Sequence, residues 1–489
     1  MIVLPRAARW VDDRLRISRV SRTALSKVFP DHWTFMMGEI ALYSFVVLVG
    51  TGIYLTLFFQ PSMAEKTYDG SYAPLYGQKM SAAYASTVEL SWDVRGGLLM
   101  RQAHHWAALI FLGAIFVHLC RIYFTAAFRR PREINWVIGL TMLILGMLNG
   151  FAGYSLPDDL LSATGLRVAN AVLLSMPVVG PWLAFFLFGS EFPGDQVVSR
   201  LYPVHVLLIP GLLIALITAH MGILIRQKHT HFPGKGRRDS NVVGSTMWPT
   251  YAFRSISLLC GVTGVCFLLG GLAQINPVWL WGPFEPGSVL APAQPDWYVG
   301  WIDGGLRAYP AWDIVVSGHR IPGLFVPAVV FPTVLFLVMY AWPWIDKLIT
   351  SDDEPHHVLA RPRRSPLRAA VGVYVIALFV VLLLTSGSDI FARYAQLPVA
   401  SVLRVLRVVI LIAPLVLALV AWFVTRALRD SEAEHLAEME VRAVTGAVPL
   451  LRKVPPPPVE AGAEGPPQPV APRQPVESSD GPEGWEAEA

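Results

Sequence analysis

Charge is scarce in this sequence. Asp, Glu, Lys and Arg make up 15% of its 489 residues, where a soluble domain carries roughly a quarter. With 54% hydrophobic residues and a mean hydropathy of +0.48, that shortage excludes an ordinary water-soluble enzyme. Cysteine is scarcer still. Cys120, Cys260 and Cys266 include no CxxC pair and no CxxCH motif, which excludes a disulfide framework and thiol-attached haem. The first 30 residues are basic and lack an apolar core, so no cleavable signal is expected.

Long apolar runs are what the chain does have. Eight of them, at 40–59, 98–120, 136–156, 203–225, 251–273, 323–345, 369–385 and 401–425, can each cross a hydrocarbon core of about 30 Å. In lipid such runs must be helices, because backbone polar groups there need internal partners. The expected fold is all-α and polytopic, with a bundle of four helices followed by four more. A ninth run at 170–188 is broken by Pro177, Gly180 and Pro181, and reads as two short surface helices.

Charge placement agrees with eight spans. The N-terminal segment is basic, and so are the connections after the second, fourth and sixth runs, with Arg129, Arg226, Lys347 and Arg361 among them. Eight spans put all of these in the cytoplasm, with both chain ends, in a multi-pass protein of the cell membrane. The chain divides into a basic segment (1–39), a four-helix bundle (40–240), a second four-helix region with a long outer loop (241–430) and a tail (431–489). From about 448 the tail is rich in Pro, Glu, Gly and Ala, a composition that predicts disorder.

Five of the 12 histidines fall inside two runs. His104 and His118 are 14 residues apart in the second, within about 40° on a helix. His205 and His220 are 15 apart in the fourth, within about 60°. Both runs cross from outside to inside. His104 is therefore level with His205, and His118 with His220, about 21–23 Å deeper. Two imidazoles facing each other at one depth make an axial site for haem iron, and two levels make a two-haem path across the membrane. His105 points about 140° away from His118 and is the odd one out.

Arg101 and Arg121 flank the second run, and Arg200 precedes His205 by five residues. Haem propionates need such cations. Gly38 and Gly52 in the first run, and Gly139 and Gly153 in the third, repeat the 14-residue interval and would leave room at both haem levels.

This order of glycine pair, histidine pair, glycine pair and histidine pair resembles the cytochrome b subunit of quinol:cytochrome c reductases, over about residues 25 to 425. The turn Gly153-Tyr154-Ser155-Leu156-Pro157, the later Gly165, and the box Pro295-Asp296-Trp297-Tyr298 look like that family's quinol-site motifs. "KVFPDHWTFMMGEI" and "DEPHHVLARPRRSPLR" look like its actinobacterial branch. Two departures stand out. Asp296 is found where glutamate is usual, and Arg254 and Ser255 where mitochondrial forms have a Lys-Asp pair at the start of the fifth span, at the inner quinone site. Asp31, His32 and His229 are candidate inner-site residues instead.

The resemblance implies two non-covalent b haems, an outer low-potential one on His104 and His205 and an inner high-potential one on His118 and His220. It implies quinol, menaquinol in this branch, oxidised in an outer pocket formed by Tyr154, Gly165 and the box, with Asp296 taking a proton. It further implies a Rieske iron–sulfur subunit, a dihaem cytochrome c subunit, a homodimeric complex, and a supercomplex with a haem-copper oxidase. No nucleic-acid partner is expected. A dihaem membrane anchor would have four or five spans and no such box, and a haem-free transporter would show helices broken near the midplane.

Overall fold

The computed structural model describes residues 3–446, apart from 17, 19–21, 23, 289, 291 and 292. The tail from about 448 lies outside the described residues. Among those described, eight helices are long and apolar enough to cross a membrane. They are α1 (Trp33–Thr56), α2 (Gly97–Phe124), α3 (Glu133–Tyr154), α4 (Val197–Gln227), α5 (Met247–Leu272), α6 (Val326–Thr350), α7 (Pro366–Ser386) and α8 (Val399–Glu434). The run at 170–188 forms no span. It is divided between the helices Leu160–Ser175 and Gly180–Phe188, because Pro177 and the left-handed Val178 turn the chain between them.

The core between the first four spans is built from Phe45, Phe111, Leu112, Leu140, Leu143 and Leu213, and it extends to Tyr298 from the long loop. Residues up to Asp430 form one compact unit, and those from Ser431 a second. Short strand pairs tie the loops to the spans. Val28–Phe29 pairs antiparallel with Ser245–Thr246, which brings the N-terminal segment to the start of α5. Farther along, Arg368 of α7 donates twice to Asp346 of α6, at 2.9 and 3.0 Å. Both side chains are buried, and a bidentate pair with both oxygens used suits such a setting.

Besides the turn Met247–Tyr251 that opens α5, two spans carry a widened turn with i→i+5 bonding, Val204–Leu208 in α4 and Val326–Val330 in α6. Each is followed two residues later by a proline, Pro210 or Pro332. Proline lacks the N–H for the usual bond and its ring crowds the carbonyl four residues back, so the turn opens. The first of these matters for the site. A widened turn absorbs one extra residue, so the 15-residue interval from His205 to His220 behaves like 14. Their offset then becomes about 40°, the same as that of His104 and His118.

Candidate functional site

The bundle brings its four span histidines together in two facing pairs. The His104 and His205 ring centroids are 6.1 Å apart, and those of His118 and His220 are 6.5 Å apart. Metal–imidazole bonds run about 2 Å. Two of them plus two ring radii come to about 6 Å, so each gap suits one metal ion with an imidazole on either side. Nδ1 of His104 meets Thr51 Oγ1 at 2.9 Å, and Nδ1 of His205 donates to the Asn149 carbonyl at 2.9 Å. Fixing Nδ1 in this way leaves Nε2 free for the gap.

The glycines sit against these rings. A Cβ on Gly38 would come within 3.2 Å of His118 Cε1, and one on Gly52 within 3.3 Å of His104 Cε1. At Gly153 it would overlap His205, while at Gly139 it would lie at 3.9 Å from His220. The interval predicted room for a flat ring. The glycines admit the imidazoles themselves, three of them closely.

Arg101 and Arg121 each keep a buried Nε and Nη2 without a partner. Unpaired buried guanidinium groups are costly; Arg101 lines the cavity that also holds His104 and His205, and Arg121 follows His118 by three residues on α2. Arg200 does not join them. It donates to the Phe185 carbonyl at 3.0 Å and to those of Phe186 and Gln196 Oε1, capping the end of the helix Gly180–Phe188. The reason is that α4 begins at Val197, so Arg200 faces that neighbouring helix and not the gap. In this arrangement its guanidinium is engaged by that helix end.

At the Asp296 end, a cavity of about 160 Å³ is lined by His104, His205, Arg101, Tyr154, Asp296 and Tyr298, among others. It joins the histidine gap to the box. Asp296 is the N-cap residue of the helix Trp297–Ala308, yet its side chain caps nothing. Its carboxylate instead accepts from Tyr298 Oη at 3.1 Å and lies 3.0 Å from His105 Nε2. Tyr298 is buried, with its hydroxyl close against Gly150, where any Cβ would collide. Burial, and then the Asp296 carboxylate, push its phenol well above the ordinary 10. Trp297 lies against Gly113 in α2, and Gly165 packs on Tyr154. Pro295 leads the chain into the box helix.

His105 was not expected in this site. The angle that sets it apart from the gap-facing histidines is the one that aims it at the box. The signal was present in the periodicity, but its target was not.

Two further buried carboxyls flank this end. Asp159 caps the helix Leu160–Ser175 through Leu161 and Ser162, and burial pushes it up to about 6. Its neighbour Asp158 is pushed up to about 7, also by burial.

At the Arg121 end the anticipated residues are divided. Asp31 pairs with Arg254 and accepts from Ser245 at 2.8 Å. His32 caps the first turn of α1 through Thr34. His229 stacks near Phe29; burial, then Arg132, Lys27 and Arg121, push it down to about 4, so it is uncharged at neutral pH. Ser255 donates at 2.6 Å to Glu39, a carboxylate that sequence reasoning did not single out.

Known proteins resemble this chain over most of its length. A family model described as cytochrome b (N-terminal)/b6/petB matches residues 109–283. A cytochrome bc1 complex cytochrome b subunit from Streptomyces coelicolor is 48% identical over 412 residues, covering 84% of this chain and 75% of that protein. One from Mycobacterium tuberculosis is 51% identical over 391 residues, covering 80% and 71%. A solved chain described as hyperthermophilic respiratory complex III shares the fold, with a TM-score of 0.61 at 19% identity, over 85% of this chain and 99% of that one. With eight membrane-crossing helices and relatives this similar over most of its length, the chain belongs to the cytochrome b subunits of cytochrome bc1 complexes.

Proposed function

We propose that this chain oxidises quinol at the Asp296 end and reduces quinone at the Arg121 end of a proton-translocating quinol:cytochrome c reductase. The observation that carries the reading is the single cavity in which the Asp296 carboxylate and the His104–His205 gap share a wall. A proton acceptor and a redox site must both reach one quinol if its protons and electrons are to part there.

Membership of the family implies haem b. The residues fit two such groups: His104 and His205 would hold one, with Arg101 at a propionate, and His118 and His220 the other, with Arg121. When bound, haem supplies one-electron transfer along the bundle. The chain's own residues do the rest. Tyr154, Tyr298 and Gly165 shape the quinol pocket, and Trp297 seats the box on α2. Asp296 takes a proton from the quinol hydroxyl, held in position by His105 and Tyr298. Its side chain accepts no backbone N–H, which speaks against a purely loop-ordering role.

The Asp296 end is the outer one by the charge rule, with both termini cytoplasmic. A Rieske iron–sulfur subunit and a dihaem cytochrome c subunit are the partners that membership of the family supports. The actinobacterial resemblance supports menaquinol as substrate, a homodimeric complex and a supercomplex with a haem-copper oxidase. The test is purification of the complex from membranes, a pyridine haemochrome count and a quinol:cytochrome c assay. Two b haems per chain and co-purifying Rieske and cytochrome c subunits are expected. A haem-free chain would overturn the reading.

A further inference from the structure

The Arg121 end has no obvious proton donor for the quinone that the proposed function reduces there. Asp31 is engaged by Arg254, His229 is uncharged, and Arg254 and Ser255 stand where mitochondrial forms have a Lys-Asp pair. Glu39 remains. It lies in the first turn of the helix Met36–Thr56, directly after Gly38, which abuts His118. That puts it level with the His118–His220 pair.

Its partners are all hydroxyls. Ser255 Oγ donates to Oε2 at 2.6 Å, Tyr43 Oη lies at 3.5 Å from the same oxygen, and Tyr251 Oη bonds Oε1. Tyr43 and Ser255 also bond each other. Among the described residues no Lys, Arg or His pairs with Glu39; the nearest basic neighbour in α5, Arg254, turns to Asp31 instead. A carboxylate near a bilayer face with no cation is costly, and such residues are by default functional.

We propose that Glu39 is the proton donor to quinone at the Arg121 end, an inference that rests on the quinone-reducing reading of that end. Tyr251 stacks on Phe29 with centroids 4.2 Å apart, and Phe29 lies 4.5 Å from His229. This aromatic wall beside the carboxyl suits a flat quinone ring. One residue along from Ser255, Arg254 forms an exposed ion pair with Asp31. The titratable and charged groups around Glu39 are thus Tyr43 on its own helix, Tyr251 and Arg254 on α5, Asp31 on the N-terminal segment, and His229 beyond Phe29.

The chemistry balances. Quinone takes two electrons, delivered along the bundle, and two protons. For each proton an O–H bond forms on a quinone oxygen as the Glu39 O–H breaks, leaving the carboxylate. The carboxylate regains a proton from cytoplasmic water by way of the hydroxyls around it, and the cycle runs twice per quinone.

The bland alternative is a clamp between α1 and α5, and an amide at position 39 would serve that equally well. Two variants in the intact complex therefore separate the roles. Glu39→Gln should leave the b-haem count unchanged and slow quinone-driven reoxidation of the pre-reduced complex about 10²-fold, as for loss of a positioned proton donor. It should also lose a protonated-carboxyl band, shifted in D2O, from the redox-induced infrared difference spectrum. Glu39→Asp should keep the band and recover part of the rate. A glutamine variant with wild-type rate and spectrum overturns the proposal alone. Wild-type complex whose reduced haems are untouched by added quinone overturns it together with the reading beneath it. If the glutamine variant does not assemble, the aspartate variant decides: a rate equal to wild type, despite the withdrawn carboxyl, counts against Glu39.

Discussion

The two ends of the bundle begin alike and finish differently. Each has a facing histidine pair, a close glycine and an arginine with unpartnered nitrogens. At the Asp296 end a loop helix folds over the gap and delivers a carboxylate held by an imidazole and a phenol. At the Arg121 end no loop supplies the carboxylate. Glu39 comes from a span and is ringed by hydroxyls from that span and α5. The lesson is that helix geometry sets the facing histidine pairs at both ends in the same way. The carboxylate beside each pair is supplied separately, from whatever packs there.

The comparison breaks most visibly at the histidines. His104→Ala or His205→Ala should remove one b haem and leave the other, and His118→Ala or His220→Ala the reverse, read by haemochrome and redox titration. Loss of both haems from any one substitution would show that the ends are not independent sites. Next in size is Asp296→Asn, which keeps shape and hydrogen bonding but removes the base. Turnover should fall about 10²-fold at unchanged haem content, while Asp296→Glu retains substantial activity. An asparagine variant with wild-type rate and pH profile would retire the proton-acceptor role.

His105 sharpens the contrast further. His105→Ala should leave both haems bound, because that ring faces the box and not the gap. It should lower turnover about tenfold, the equivalent of one hydrogen bond of about 1.4 kcal/mol, since Tyr298 still holds Asp296. The smallest effect concerns Asp158, which has no counterpart at the Arg121 end. Its folded carboxyl, pushed from 3.8 to about 7, keeps a proton that the unfolded chain releases. The stability it contributes is full below about 4 and is lost as pH rises through 7. The Tm should therefore fall by a few degrees between pH 5 and 8, and Asp158→Asn should flatten that slope.

Much of this was legible without coordinates. An apolar run can only satisfy its backbone in lipid as a helix, so the eight spans follow from composition, while Pro177 and Gly180 together with the alternation of basic connections argue against a ninth. Because helices repeat, the 14-residue interval also announces which histidines share a face. The 15-residue interval was only half legible. Its extra residue is taken up in the widened turn before Pro210, which periodicity treats as a flaw.

Arg200, His105 and Glu39 mark where the sequence stops. Arg200 has the residue type and spacing of a propionate partner, yet a neighbouring helix end claims it. His105 and Asp296 are separated by 191 residues and Glu39 and Ser255 by 216, and no local pattern spans such distances. Periodicity along one helix determined which way each side chain points. What it meets there was decided only by tertiary packing, because a contact depends on how loops and spans far apart in the chain come to lie side by side.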